Sequence, residues 1–495
     1  MRKRPEKIGV GQLTLQIVFP SEQTSDAAQE TQDNGLETSS AAPELDSKSE
    51  RKRKWYSLYD KVFAFANLWD AWLKVKENRG AAGIDRMTVK RFDEDAYTRI
   101  EHLQTDLRNK TYRPQPVRRV FIPKSGGGER PLGIPTVRDR IVQQALLQIL
   151  EPIFEAKFSP RSHGFRPERG CATALDVVDR AVKCGYEWVV DADIKAFFDT
   201  VDHDKLIKAI NEEISDGSIL QLIRRILKAG VILPDVNDVD PTELGTPQGG
   251  PISPLLANIY LHHFDVKMAQ AKYGLVRYAD DFVIFARSEE QAEAALQLAR
   301  QILEGELALT LHPEKTRVVS VTQGFEFLGF HYFRYVKTGG MLKVVRRKSV
   351  QRFRDAIRQR TPRLKTQRPV KPKNVTLSRL KKNKRIKELI RNVNQHLRGW
   401  HGYFREIWSG SKPFRTFDYF VRSRVRASIM GRVGAGWWYR IITNDALAHL
   451  GLLSLDGLQW KYCADSTDPI ARKGSSGGEP YAGKPQVRFG KGGGR

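Results

Sequence analysis

The sequence predicts an α+β fold: a mixed domain of strands and helices, followed by an all-helical basic domain. Three observations predict it. Short alternating strands are interleaved with helices along most of the chain. Beyond about Lys337 the apolar spacing becomes that of long helices. The same late region carries most of the positive charge, with 29 Lys and Arg against 4 Asp and Glu from Met341 to Arg440.

The elements follow in chain order. Residues 1–54 form an expected disordered tail, because the stretch 21–49 is rich in Ser, Thr, Gln, Glu and Asp and cannot bury a core. Val62, Phe65, Leu68, Trp69 and Leu73 recur at helical spacing over Tyr59–Val75. A glycine-containing loop, R79-G-A-A-G-I-D85, follows. Val117–Lys124 reads as a strand and Ser125–Arg130 as a hairpin turn. Thr136 can cap a helix running to Glu151, with Asp139 three residues on and a stripe of Ile141, Ala145, Leu146, Ile149 and Leu150. Glu187–Ile194 is a strand, and Pro251–Phe264 a helix entered through Pro and Ser. Val276–Tyr278 and Phe282–Ala286 are two strands joined by a tight turn, and a helix spans Glu289–Leu307. Phe325–Tyr332 is a short strand pair. In the basic region Ile386, Leu389, Ile390, Val393 and Leu397 make one apolar helix face. The tail from Cys463 is rich in Gly, Ser and Lys and is expected to be loose.

A chain of 495 residues suggests two to four domains. Its net charge of +26 points to a polyanionic partner, usually nucleic acid. A merely soluble basic protein would not need that charge concentrated in one region. Cys171, Cys184 and Cys463 are far apart and form no C-x-x-C, which argues against a disulfide framework or a cysteine-rich zinc site. That usage suits an intracellular protein. No apolar run approaches ~20 residues, so no membrane span is expected. The short, interrupted apolar stretch Leu13–Phe19 is not expected to act as a secretory signal.

The chemistry concentrates in carboxylates. Asp191 and Asp193 share one strand face, and Asp193 stands where the strand ends. Asp280 and Asp281 sit side by side at a hairpin tip between apolar strands. Adjacent like charges in a half-buried place lose hydration and repel. If the strands lie together, Asp193, Asp280 and Asp281 converge, and hard oxygen ligands of this kind suit Mg²⁺. Two such ions can stabilise both oxygens of an in-line phosphoryl displacement. Alone, an Asp-Asp pair in a turn is more often a solvated turn.

Y278-A-D-D281 resembles the catalytic hairpin of reverse transcriptases, and D193-I-K-A-F-F-D199 their first palm motif. The run from Gly245 to Leu261 (GTPQGGPISPLLANIYL) is similar to that of group II intron reverse transcriptases in particular. So are R130-P-L-G-I-P-T-V-R-D-R-I-V-Q-Q-A145, H163-G-F-R-P-E-R-G170, L311-H-P-E-K-T316, F327-L-G-F330 and R79-G-A-A-G-I-D85. The motifs occur in the family's order from about Trp55 to Trp438.

The resemblance implies a right-hand polymerase. Fingers and an antiparallel palm sheet would occupy 55–335, an all-α thumb or maturase domain 336–420, and a short basic DNA-binding-like region 421–495. It implies that Asp193, Asp280 and Asp281, joined by the main-chain carbonyl of Ile194, hold two Mg²⁺ ions. Phe198 would exclude a ribose 2′-OH, and Gln248 would lie beside the incoming nucleotide and template. Lys124 and Arg130 would grip the triphosphate, and Lys315 would protonate the leaving pyrophosphate. Arg398, Trp400 and Arg405, in N394-Q-H-L-R-G-W-H-G-Y-F-R405, would contact RNA. The implied partners are group II intron RNA, an RNA template, a DNA primer or target, and dNTPs. The implied setting is the bacterial cytoplasm, at the nucleoid in use, and the resemblance allows a homodimer. Nothing up to Arg495 resembles the cysteine-paired HNH endonuclease of many members, so that nuclease is expected to be absent. Two other readings stay open from sequence: a domesticated or defence-linked reverse transcriptase, and a maturase or RNA-binding protein without polymerase activity.

Overall fold

The computed structural model describes residues 54–465 apart from 124–128, 233–238, 241–243, 247–248, 336–338, 363–375, 408–411 and 431–441. The expected N-terminal tail, except Lys54, and the C-terminal stretch beyond 465 lie outside the described residues. Within them the strands are β1 (Val117–Pro123), β2 (Glu129–Ile134), β3 (Trp188–Asp193), β4 (Val231–Ile232) and β5 (Val239–Asp240). They continue with β6 (Gly274–Tyr278), β7 (Asp281–Ala286), β8 (Arg317–Ser320), β9 (Phe325–Phe327), β10 (Phe330–Arg334) and β11 (Met341–Val345).

These strands make three sheets. The first has the order β2-β1-β4-β5, with β1 and β4 parallel. The second, β6-β7-β3-β8, is antiparallel throughout. The third is a small antiparallel sheet, β11-β10-β9. The fold is α+β, and the chain beyond β11 is helical among the described residues.

Period-two alternation gives the second sheet two buried faces. Val190, Ala192, Leu275, Phe282 and Ile284 enter one core, shared with the helices Val137–Glu155 and Ser253–Gln270. Val189, Val276, Val283 and Phe285 enter the other, shared with the basic helices. Asp191, Asp193 and Asp281 have the parity of the second face, where the strand ends run past the core into an open cleft.

Local signals explain most element boundaries. The Thr136 side chain caps its helix by accepting from the Asp139 amide. Asn383 caps the long helix Lys384–Phe404 in the same way, from the Arg385 and Ile386 amides. All five apolar residues expected on that helix are buried. Among the described residues no helix is long and apolar enough to cross a membrane.

Three expectations are corrected. The first helix breaks at Phe63–Ala64, giving Tyr59–Val62 and Phe65–Glu77. The new helix buries Leu68, Ala71, Trp72 and Val75, so Leu73 turns outward at 46% exposure. The helix expected to reach Leu307 is α-helical only to Arg300 and then widens into a π turn, Gln301–Glu306. β11 went unforeseen. Its residues follow the strand pair closely and lie in a basic, helix-like context.

The expected boundary at 420/421 falls inside the helix Lys412–Met430. Asp418 on that helix accepts from the Leu455 and Asp456 amides, and buried Arg426 donates to the Ile442 carbonyl at 2.6 Å. Segments on both sides of the boundary are therefore bonded through one helix.

Candidate active site

The site is built where β3 ends and β6 turns into β7. In the β3–β7 ladder Asp193 faces Asp281 directly, and in the β6–β7 ladder Tyr278 faces Asp281. That register leaves Ala279 and Asp280 as a two-residue turn. Ala279 takes a left-handed φ of 57° to make it. A residue with a Cβ meets steric cost there, about 1 kcal/mol or more.

The turn is braced from behind. A Cβ added to Gly164 would lie 2.4 Å from the Ala279 amide nitrogen, so only glycine lets the two backbones approach this closely. The His163 amide donates to the Arg277 carbonyl at 2.9 Å, and the Arg277 amide to the Arg161 carbonyl at 3.0 Å.

The carboxylates feel one another. Asp281 meets the solvent of the cleft, yet its pKa is pushed up to about 7. Loss of surrounding water is the largest cause, then the charges of Asp280 and Asp193, while Arg346 pulls it down. Lys315 donates from Nζ to Asp193 Oδ2. Asp191 is pushed up to about 6, chiefly by burial, against the pull of Arg317, whose guanidinium lies 3.2 Å away. The cleft in front encloses about 540 Å³. Arg346, Lys348 and Arg352 line it together with Asp193 and Asp281.

This donor set fits a divalent cation. Mutually repelling carboxylates meet across a strand pair, and two cationic side chains already lean on them. Asp193, Asp280 and Asp281 are the residues that would hold Mg²⁺. Among the described residues no three His, Cys, Asp or Glu side chains form a closed ligand set, and Mg²⁺ commonly draws remaining ligands from substrate phosphates and water. Ile194 is buried beside them. Its neighbours carry the bonds to the next segment, Lys195 N to Thr310 O and His312 N to Asp193 O, so the Ile194 carbonyl points away from that pairing.

Other expected residues divide clearly. Phe198 is half-buried, edge-on to buried Phe197 at 5.2 Å, and borders a cavity of about 100 Å³ with Arg119 and Gly133. Gly249 packs against β2 so closely that a Cβ would meet the Gly133 carbonyl at 2.4 Å. Lys124 and Gln248 lie outside the described residues, as does the side chain of Arg130, whose backbone pairs with Ile122.

Arg398 is exposed on the long basic helix, and Arg405 is exposed just past its C-terminal end. Trp400 is corrected: it is 8% exposed and packs at 4.5–5.0 Å against Phe353, Phe404 and Phe417. Burial leaves its ring no face for a base. Sequence reasoning missed Arg317, Arg346, Lys348 and Arg352 at the cleft. The basic run R346-R-K348 was the available signal.

Residues 122–332 match the family described as reverse transcriptase (RNA-dependent DNA polymerase). Residues 371–443 match the group II intron, maturase-specific domain. The protein YkfC of Escherichia coli (strain K12) is 36% identical over 301 residues, 53% of this chain and 78% of that protein. The group II intron-encoded protein LtrA of Lactococcus lactis subsp. cremoris is 34% identical over 327 residues, 52% of this chain and 54% of LtrA. The match thus spans about half of LtrA's length. A chain of a partial Cas6-RT-Cas1–Cas2 complex overlays at a TM-score of 0.34, with 24% identity over 50% of this chain and 43% of that one. That likeness is too slight to bear on function.

Proposed function

From the premise that the chain belongs to the group II intron reverse transcriptase and maturase family, we propose that it copies RNA into DNA and holds its intron RNA through the basic helices. The observation that carries the reading is the Asp193–Asp281 cross-strand pair with Asp280 in the adjoining turn. Enzymes of the reverse transcriptase family generally use Mg²⁺. Two such ions, when bound, supply the charge stabilisation of an in-line phosphoryl transfer.

The protein's own residues do the rest. Asp193, Asp280 and Asp281 hold the charge that attracts the ions. Lys315 pairs with Asp193 and would give a proton to a leaving pyrophosphate. Phe198 sets a ring beside the small cavity at the β2 strand, where it would crowd a ribose 2′-OH. Lys124, Arg130 and Gln248 are proposed to contact the incoming nucleotide. The cations lining the cleft suit a nucleic-acid backbone. Arg398 and Arg405 face outward for structured RNA, which proteins recognise largely through shape and backbone. DNA primer or target binding and a homodimer belong to the same proposal.

Primer extension on an RNA template with Mg²⁺ tests the reading, with dNTPs and ribonucleotides run in parallel. Wild type should extend with dNTPs, and Asp280→Ala should lose at least about 100-fold in rate. If wild type binds structured RNA tightly but does not extend, polymerase activity is lost from the proposal and RNA binding alone remains.

A further inference from the structure

Arg277 is fully buried behind the catalytic turn, on the opposite sheet face from Asp193 and Asp281. Its guanidinium forks onto Asp265 of the helix Ser253–Gln270, with Nε to Oδ1 at 2.7 Å and Nη2 to Oδ2 at 2.5 Å. The remaining nitrogen, Nη1, donates to the Ala279 carbonyl at 2.9 Å and to Asn258 Oδ1 at 3.1 Å. Asn258 in turn donates to the Gly164 carbonyl at 2.8 Å, and Gly164 is the residue wedged against the Ala279 amide. Asp265 is 1% exposed and Asn258 likewise. Arg277 and Gly164 thus meet the left-handed residue that precedes the two aspartates, and Asp265 and Asn258 hold those two in place.

A buried ion pair is a poor device for stability. Desolvation offsets much of its attraction, and apolar residues of similar size often serve the fold as well or better. What an apolar pair cannot do is hold the carbonyl of Ala279. We infer that Arg277, oriented by Asp265 and Asn258, is a positioning residue: it fixes the Ala279 peptide and so aims Asp280 and Asp281 at the metal-binding position. The inference rests on the proposal that these carboxylates bind divalent cations.

The test separates folding, metal binding and catalysis. The variant Arg277→Met with Asp265→Leu replaces the pair by apolar side chains. Its melting temperature, its Mn²⁺ affinity by paramagnetic resonance, and its primer-extension kcat and KM are compared with wild type and Asp280→Ala. The expected result is a folded protein whose Mn²⁺ binding weakens about 10-fold or more. Its kcat should fall about 100-fold with KM for primer-template little changed.

A folded variant with wild-type Mn²⁺ affinity and kcat overturns the inference and leaves Arg277 a packing residue. If the double variant does not fold, Asn258→Ala, which removes its hydrogen bonds to Arg277 and to Gly164 but leaves the ion pair, is read by the same two outcomes. Mn²⁺ affinity does not depend on turnover. Loss of affinity in the double variant therefore sustains the positioning role even if wild type proves inactive as a polymerase.

Discussion

At the scale of single residues, the site was legible where spacing alone brings groups together. Asp280 and Asp281 adjoin, and Asp193 ends a strand, so only one strand pairing was needed to join them. Arg317 and Arg346 were not legible as site residues, because β8 and β11 bring them to the cleft and nothing near the aspartates in sequence announces them. Trp400 was misread because an aromatic beside arginines looks the same from sequence whether it faces RNA or a core. Asp281 carries the pH prediction. Its pKa rises from 3.8 in the unfolded chain to about 7 in the metal-free fold. A raised carboxyl pKa contributes stability that is complete below pH 3.8 and is lost as pH rises through 7. Asp281→Asn should therefore raise the melting temperature of the metal-free protein at pH 8 and leave it nearly unchanged at pH 4. Apparent Mg²⁺ affinity should tighten with pH and level off above about 7, because the ion displaces the proton. A calorimetric titration across that range checks the second point, and thermal melts check the first.

At the scale of elements, the strands and caps followed from local chemistry. The hairpin β6–β7 reads from two apolar runs around a two-residue turn, and Thr136 announces its helix. Phase was harder to read. The first helix shows apolar residues at several compatible spacings, and only the break at Phe63–Ala64 decides that Trp72, not Leu73, faces inward. The helix Lys384–Phe404 was read correctly because its five apolar residues hold one face over three turns. Leu397 lies fully buried on it, among the side chains joining the second sheet to the basic helices. Leu397→Ala should cost about 2–5 kcal/mol of unfolding free energy. Chemical denaturation checks this, and the loss should show in the whole cooperative transition.

At the scale of the molecule, charge is the most legible property and shape the least. The +26 total predicts binding that weakens steeply with salt. A plot of log affinity for structured RNA against log salt should be linear and negative. Arg398→Ala and Arg405→Ala should each reduce its slope by roughly one phosphate contact, about 0.7–0.9. Unchanged slopes would remove those two residues from the RNA face. Sequence could not show that the sheet and the basic helices share a core, because the contributing residues lie far apart along the chain. Val189, Val283 and Phe285 pack in one cluster with Phe353, Val393 and Trp400. That shared interior bears on anyone dividing the gene near position 335 to express a lone copying enzyme and a lone RNA binder. The first fragment would carry a bare, greasy sheet and the second an uncovered row of aromatic rings. The two pieces should precipitate when produced apart and become soluble when produced in the same cell.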